Sequence, residues 1–221
     1  MTDMTTARRN ILILTIAQAL GASSPPIVIS LGGLVGQKLS SDPALVTLPV
    51  SLFNLGLALG TLPAAFFMRQ FGRRNAYMLG ALVGVSAGLI AAAGIFAASF
   101  LIFCLGTLTA GFYAAYVQSY RFAATDAATG DMKARAISWV MVGGLVAAIV
   151  GPQLVIWTRD TIPDAMFAGS FLSQAVLGLL ALPVLFMLRA PKIRKDPNAA
   201  HDTGRPLGEI LRSPRFILSV A

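Results

Sequence analysis

Charge is scarce in this chain and is kept out of its apolar stretches. Asp, Glu, Lys and Arg make up only 12% of the 221 residues. All nine acids, Asp3, Asp42, Asp126, Asp131, Asp160, Asp164, Asp196, Asp202 and Glu209, fall in connecting segments or near the ends. The apolar stretches therefore hold no carboxylate to carry a proton. The one histidine, His201, lies far from them, so no metal cluster is expected. No general base stands beside a nucleophile, which argues against an embedded hydrolase or protease. The chain is read as a non-enzyme with no cofactor. Its single cysteine, Cys104, has no disulfide partner and is assigned to packing.

What is abundant is apolar length. Hydrophobic residues are 56% of the chain, and the mean hydropathy is +0.75, far above a soluble domain. Six stretches, Ile11 to Gly36, Leu45 to Phe67, Ala76 to Ala98, Phe100 to Ala123, Ala136 to Trp157 and Ala165 to Leu188, stand out. Each exceeds the ~20 residues a helix needs to cross a ~30 Å hydrocarbon layer. Lipid leaves unpaired backbone groups without water, so the expected class is an all-α membrane protein of six transmembrane helices.

The basic residues give the orientation. All but two of the 17, Lys38 and Arg159, lie before the first span, between spans two and three, at or after the end of span four, or after span six. By the positive-inside rule both termini are expected in the cytoplasm of a bacterial inner membrane. The same distribution explains the net charge of +8 without nucleic acid, for which a mixed aromatic and basic surface would be needed. Trp139 and Trp157 bracket span five about 27 Å apart, the separation of two interfacial belts. The first span is too long for a signal-peptide core.

The chain divides into a cytoplasmic N-terminus (1–10), a six-helix bundle (11–188), a basic cytoplasmic linker (189–214) and the start of a seventh span (215–221). That last apolar run stops after a few residues, so the chain reads as the front of a longer protein. Gly80, Gly84 and Gly88 recur every fourth residue in span three, Gly56 and Gly60 in span two, and Gly143, Ala147 and Gly151 in span five. Such stripes let helix backbones approach closely in lipid.

Polar residues sort the spans into three classes that repeat in order. Spans one and four carry the most mid-membrane polarity, two and five an intermediate amount, and three and six the least. That suggests two copies of a three-helix unit whose first members line a cavity and whose third members face lipid. Candidate cavity residues are Gln18, Ser23, Asn54, Thr109, Tyr113, Tyr116, Tyr120 and Gln153. Thr109, Tyr113, Tyr116 and Tyr120 form one helical stripe. It offers flat apolar faces with hydrogen-bonding tips to a ligand, or packs between helices with its hydroxyls on nearby carbonyls. Ser23-Ser24-Pro25-Pro26 breaks the first span near its middle, either freeing carbonyls toward a ligand or bending the helix.

Six helices, inner termini, a basic loop between spans two and three and a basic linker before a seventh resemble the N-terminal half of a major facilitator superfamily transporter. Phe71-Gly72-Arg73-Arg74 is similar to the end of that family's loop signature. The signature's acidic residue would fall at Arg69 and its leading glycine at Ala65. Gly143, Ala147 and Gly151 leading into Pro152 resemble a helix-five motif of the family's antiporters, with Leu154, Val155 and Ile156 where a glycine pair is usual. The arginine of helix four in proton-coupled relatives would fall at Thr107. A cytoplasmic gate is expected at Gly72, Arg73 and Arg74, with Arg73 paired to Asp126. The resemblance implies a secondary transporter working by alternating access, its partners a small-molecule substrate, the lipid bilayer, and a C-terminal half or a second copy. Uncharged spans point to a neutral or amphipathic solute, with export the expected direction. The alternatives from other classes are a half-size homodimeric transporter and a non-transporting membrane scaffold.

Overall fold

Two prolines decide where the first span breaks. In the computed structural model, which describes residues 4–128 and 132–189, α1 (Met4–Gly21) ends and α2 (Ser24–Leu39) begins across Ala22 and Ser23. Pro25 and Pro26 lack the N–H that would donate to the preceding turn, whereas the first turn of a new helix accommodates them. Helix starts at Met4, so most of the expected N-terminal segment is already the opening of α1. It is tied down at the far end of the sequence. Arg9 donates to the Met187 carbonyl at 2.8 Å, and Asn10 exchanges two hydrogen bonds with the Arg189 backbone.

After a short 3₁₀ turn at Pro43–Leu45, whose backbone is capped by the Asp42 carboxylate, α3 runs from Leu48 to Phe96. Straight, its 49 residues would extend about 73 Å, more than twice the ~30 Å hydrocarbon layer. It is not straight. Gly72 has φ 78° and ψ 159°, a conformation open to glycine but strained for any residue with a Cβ. The packing shows the reversal there. Gly56 lies against Leu108 and Gly60 against Phe112, so the first leg runs parallel to its neighbour. Gly80 lies against Tyr116 and Gly84 against Tyr113, so the second leg runs the other way.

The remaining helices are α4 (Phe100–Gln118), α5 (Tyr120–Ala127), α6 (Met132–Thr158) and α7 (Ala168–Phe186). Five helical runs are long and apolar enough to cross a membrane; with α3 doubled back at Gly72 they supply six legs, and the described residues contain no strand. The two halves of the bundle pack equivalently. The second leg of the first half meets α4 through Gly56 and Gly60. The corresponding leg of the second half, α6, meets α1 and α2 through Gly143 and Gly151. The third legs meet each other, Gly88 against α7 and Gly178 against the 81–85 turn of α3.

Two interior clusters stack along the bundle. One, at the arginine-rich end, gathers Leu14, Ala17, Tyr77, Tyr113, Tyr120 and Leu185. The other, at the opposite end, gathers Ile27, Leu31, Phe53, Phe103 and Phe171, with Phe103 and Phe171 edge to face at 5.2 Å. The outside is also apolar: Leu62 is 79% exposed, and Leu59, Leu101, Leu145, Ile149 and Trp157 are exposed too. Large exposed apolar surface on every side is a liability in water and the requirement in lipid. The expected linker beyond Arg189 and the start of a seventh span lie outside the described residues.

Candidate functional site

The tyrosine stripe of α4 is interior packing. Tyr113, Tyr116 and Tyr120 are all buried, and their rings fill the room left by glycines on α3. A Cβ on Gly84 would stand 2.7 Å from Tyr113 Cδ1, and one on Gly80 would stand 2.6 Å from Tyr116 Cγ. Tyr120 meets Tyr77 edge to face at 4.7 Å. The expectation that these three line a cavity is therefore corrected. The stripe and the glycine stripe are two sides of one helix contact, which neither segment reveals separately.

Other candidates are dispersed. Ser23 is fully buried and donates to the Ala19 carbonyl at 2.9 Å. Its own carbonyl lies against Gly151, so the break in the first span packs onto α6. Thr109 donates to Leu105 O at 2.7 Å and Asn54 to Val50 O at 3.0 Å, each on its own helix. Asn54 and Gln153 are exposed on the bundle surface. In the helix-five motif Gly143 approaches the Thr15 carbonyl and Ala147 is fully buried, while Pro152 is half-buried just beyond. These small residues seat α6 on the first span.

Of the eight cavity candidates, Gln18 reaches a hollow. That hollow, about 340 Å³ and half open, lies between α1, α6 and the junction of α4 with α5. Gln118 and Arg121, three positions apart and so on one face of the helical path, enter it beside Gln18. Val140, Met141 and Leu145 form its apolar wall, and Gly144 leaves room beside the Gln18 amide nitrogen. The helix path turns at Ser119, the residue between α4 and α5. Gln118 is visible in the sequence as one of the polar residues of span four, and Arg121 as one of its flanking charges. Joining them to Gln18 needs the tertiary fold. Among the described residues no three His, Cys, Asp or Glu side chains come together to hold a metal ion.

At the arginine-rich end the side chains form a second cluster. Arg73, directly after the Gly72 reversal, pairs with Asp126 of α5 and also donates to Tyr77 Oη at 3.3 Å. Tyr77 in turn donates to the Ser119 carbonyl at 3.3 Å. Arg74 lies over the Phe186 ring at 4.3 Å. The turn after Gly72 is thus fastened both to the α4–α5 junction and to the end of α7.

The geometry meets its counterparts among known proteins. A profile described as Major Facilitator Superfamily matches residues 11–221. The chain is 96% identical over all 221 of its residues to a protein of Brucella anthropi named riboflavin transporter RfnT, of which it covers 56%. It is 31% identical over 195 residues to the uncharacterized MFS-type transporter YdeG of Bacillus subtilis, covering 86% of this chain and 44% of that protein. A sheep facilitated glucose transporter, solute carrier family 2 member 3, is 27% identical over 171 residues, covering 72% of this chain and 33% of the transporter. The chain thus spans about half the length of the relatives it matches, and the matching relatives are named as transporters. Its helical bundle, its apolar exterior and this profile together place the chain in the major facilitator superfamily.

Proposed function

We propose that this chain is the front half of a membrane transporter that carries riboflavin or a close relative by alternating access. The observation that carries the reading is the 96% identity, along the whole chain, to a protein named for riboflavin transport. The hollow supports it. Val140, Met141, Gly144 and Leu145 face two carboxamides and one guanidinium across it, a composition suited to an amphipathic solute with hydrogen-bond acceptors. Its volume sits at the low end of the roughly 300–1,000 Å³ of small-molecule sites, as expected where a facing half supplies the rest of the enclosure. Asn54 and Gln153, exposed elsewhere on the bundle surface, are available to that half.

In this reading the arginine-rich end faces the cytoplasm, and the Arg73–Asp126 pair with Gly72 and Arg74 forms the gate on that side. The pair ties the reversal of α3 to α5, whose first turn carries Arg121. Movement at the gate and movement at the hollow are then mechanically joined through one short helix.

The test is a chimera in which this chain replaces the matching part of the Brucella riboflavin transporter, expressed in riboflavin-requiring bacteria. Saturable movement of labelled riboflavin is the expected result, and right-side-out and inside-out vesicles read its direction. A chimera that reaches the membrane and moves no riboflavin refutes the proposal.

A further inference from the structure

The hollow contains side chains that the protein leaves unanswered. Polar groups elsewhere in the spans bond their own helix: Thr15 to Ile11 O, Asn54 to Val50 O and Thr109 to Leu105 O. Gln18, Gln118 and Arg121 do not. Among the described residues none of the three side chains makes a hydrogen bond or ion pair, and the Arg121 guanidinium lies over the Phe122 ring at 5.0 Å. Gln118 and Arg121 are exposed and Gln18 half-buried, so water answers them until a ligand displaces it, and a ligand that fails to replace those hydrogen bonds is disfavoured.

Their chemistry defines the ligand edge. Each glutamine offers an NH₂ donor and a carbonyl acceptor, and arginine offers donors alone. Together they present donor, acceptor and donor within one hollow whose other walls are Met141, Val140 and Leu145. The complement is a flat ring with an acceptor, a donor and an acceptor along one edge and nothing polar along the opposite one. An isoalloxazine ring has that pattern: C2 carbonyl, N3–H and C4 carbonyl on the imide edge, and a dimethylated benzene edge opposite.

Resting on the riboflavin reading above, we infer that Gln18, Gln118 and Arg121 are the specificity-determining residues that read the imide edge of the flavin. Arg121 donates to the C2 carbonyl, the Gln118 carboxamide oxygen accepts N3–H, and the Gln18 carboxamide nitrogen donates to the C4 carbonyl. Met141 and Leu145 cover the ring. Because the contact is to the ring, the site selects flavins by their edge and is indifferent to the sugar-alcohol chain.

The experiment uses the same chimera and two competitors of labelled riboflavin, unlabelled riboflavin and 3-methylriboflavin. The methyl group removes the N3–H and leaves the rest of the ring intact. In the parent chimera riboflavin should compete at a concentration lower by about tenfold or more, the cost of one unmade bond to a polar site. Gln118→Leu and Arg121→Leu alter exposed side chains, so folding is spared. Gln118→Leu should weaken riboflavin by about tenfold while barely changing 3-methylriboflavin, bringing the ratio toward one, whereas Arg121→Leu, whose partner carbonyl the methyl group leaves in place, should weaken both by about tenfold. A parent that takes both flavins equally, a Gln118→Leu variant that weakens both in the same proportion, or an Arg121→Leu variant that weakens neither, overturns the inference while leaving riboflavin transport intact. A parent that carries no riboflavin removes the functional reading itself, and this inference with it.

Discussion

Gly88 is the position where one methyl group should be felt most clearly. A Cβ there would stand 2.6 Å from the Phe171 carbonyl oxygen and 2.8 Å from the Ala175 nitrogen, both backbone atoms of α7. No change of rotamer can relieve that contact; α3 and α7 must part along their length. Overpacking of this kind costs about 1–3 kcal/mol. Replacing a helical glycine by alanine returns roughly 0.5–1 kcal/mol of backbone entropy. The net for Gly88→Ala is a loss of up to about 2.5 kcal/mol, and because the contact is with backbone the upper part of that range is expected, a fall of about 4–10 °C in melting temperature for a chain of this size. Gly33→Ala is the matched control, because a Cβ at that helical position meets nothing within 4 Å. It should melt up to about 4 °C higher than the parent. The assay heats each protein in mild detergent and measures the fraction that stays monodisperse. If Gly88→Ala melts with the parent, or Gly33→Ala falls alongside it, close backbone approach is not what holds the third legs together.

Three further outcomes are expected. The Tyr113 hydroxyl is buried without a hydrogen-bond partner, so Tyr113→Phe should keep transport and leave stability unchanged or raised by up to about 1 kcal/mol; loss of transport would return this residue to a cavity role. Reversing Arg73 to Asp or Asp126 to Arg should each impair riboflavin movement, and the double reversal should restore it. The pair is partly exposed, so the stability coupling should be only about 0.2–1 kcal/mol, and singles without effect on transport would dismiss the gate. Asp42→Cys should react with a membrane-impermeant thiol reagent added outside intact cells, with buried Cys104 contributing no background; labelling only after lysis would invert the proposed orientation.

Several elements were readable from local chemistry. Apolar length gives the rods because a backbone in lipid has only itself to bond. Pro25 and Pro26 mark the break after Gly21 because a proline cannot close the preceding turn. The spacing of Gly80, Gly84 and Gly88 announces close contact, and the opposite charges of Arg73 and Asp126, both at the arginine-rich ends of spans, point to the pair the fold forms. These signals work because each depends on a covalent feature or on neighbours within a turn.

The site was legible only in part. Gln18 is recognisable as a polar residue in a greasy helix, but so are Ser23, Asn54 and Thr109, and those three satisfy themselves on their own helices. The tyrosines looked ligand-facing because their stripe is regular, yet a stripe records a direction around one helix and not what stands opposite it.

Sequence alone therefore determined the number of legs, the places where they break, and the small-residue seams by which they meet. Tertiary structure decided which seam meets which. It turned the tyrosines inward against α3 glycines, and it brought Gln118 and Arg121 across the Ser119 bend to Gln18, about a hundred positions earlier in the chain. The physical reason is range. Helix formation and breaking are settled within a few residues, whereas a cavity exists only between surfaces whose relative rotation is fixed by packing the whole bundle.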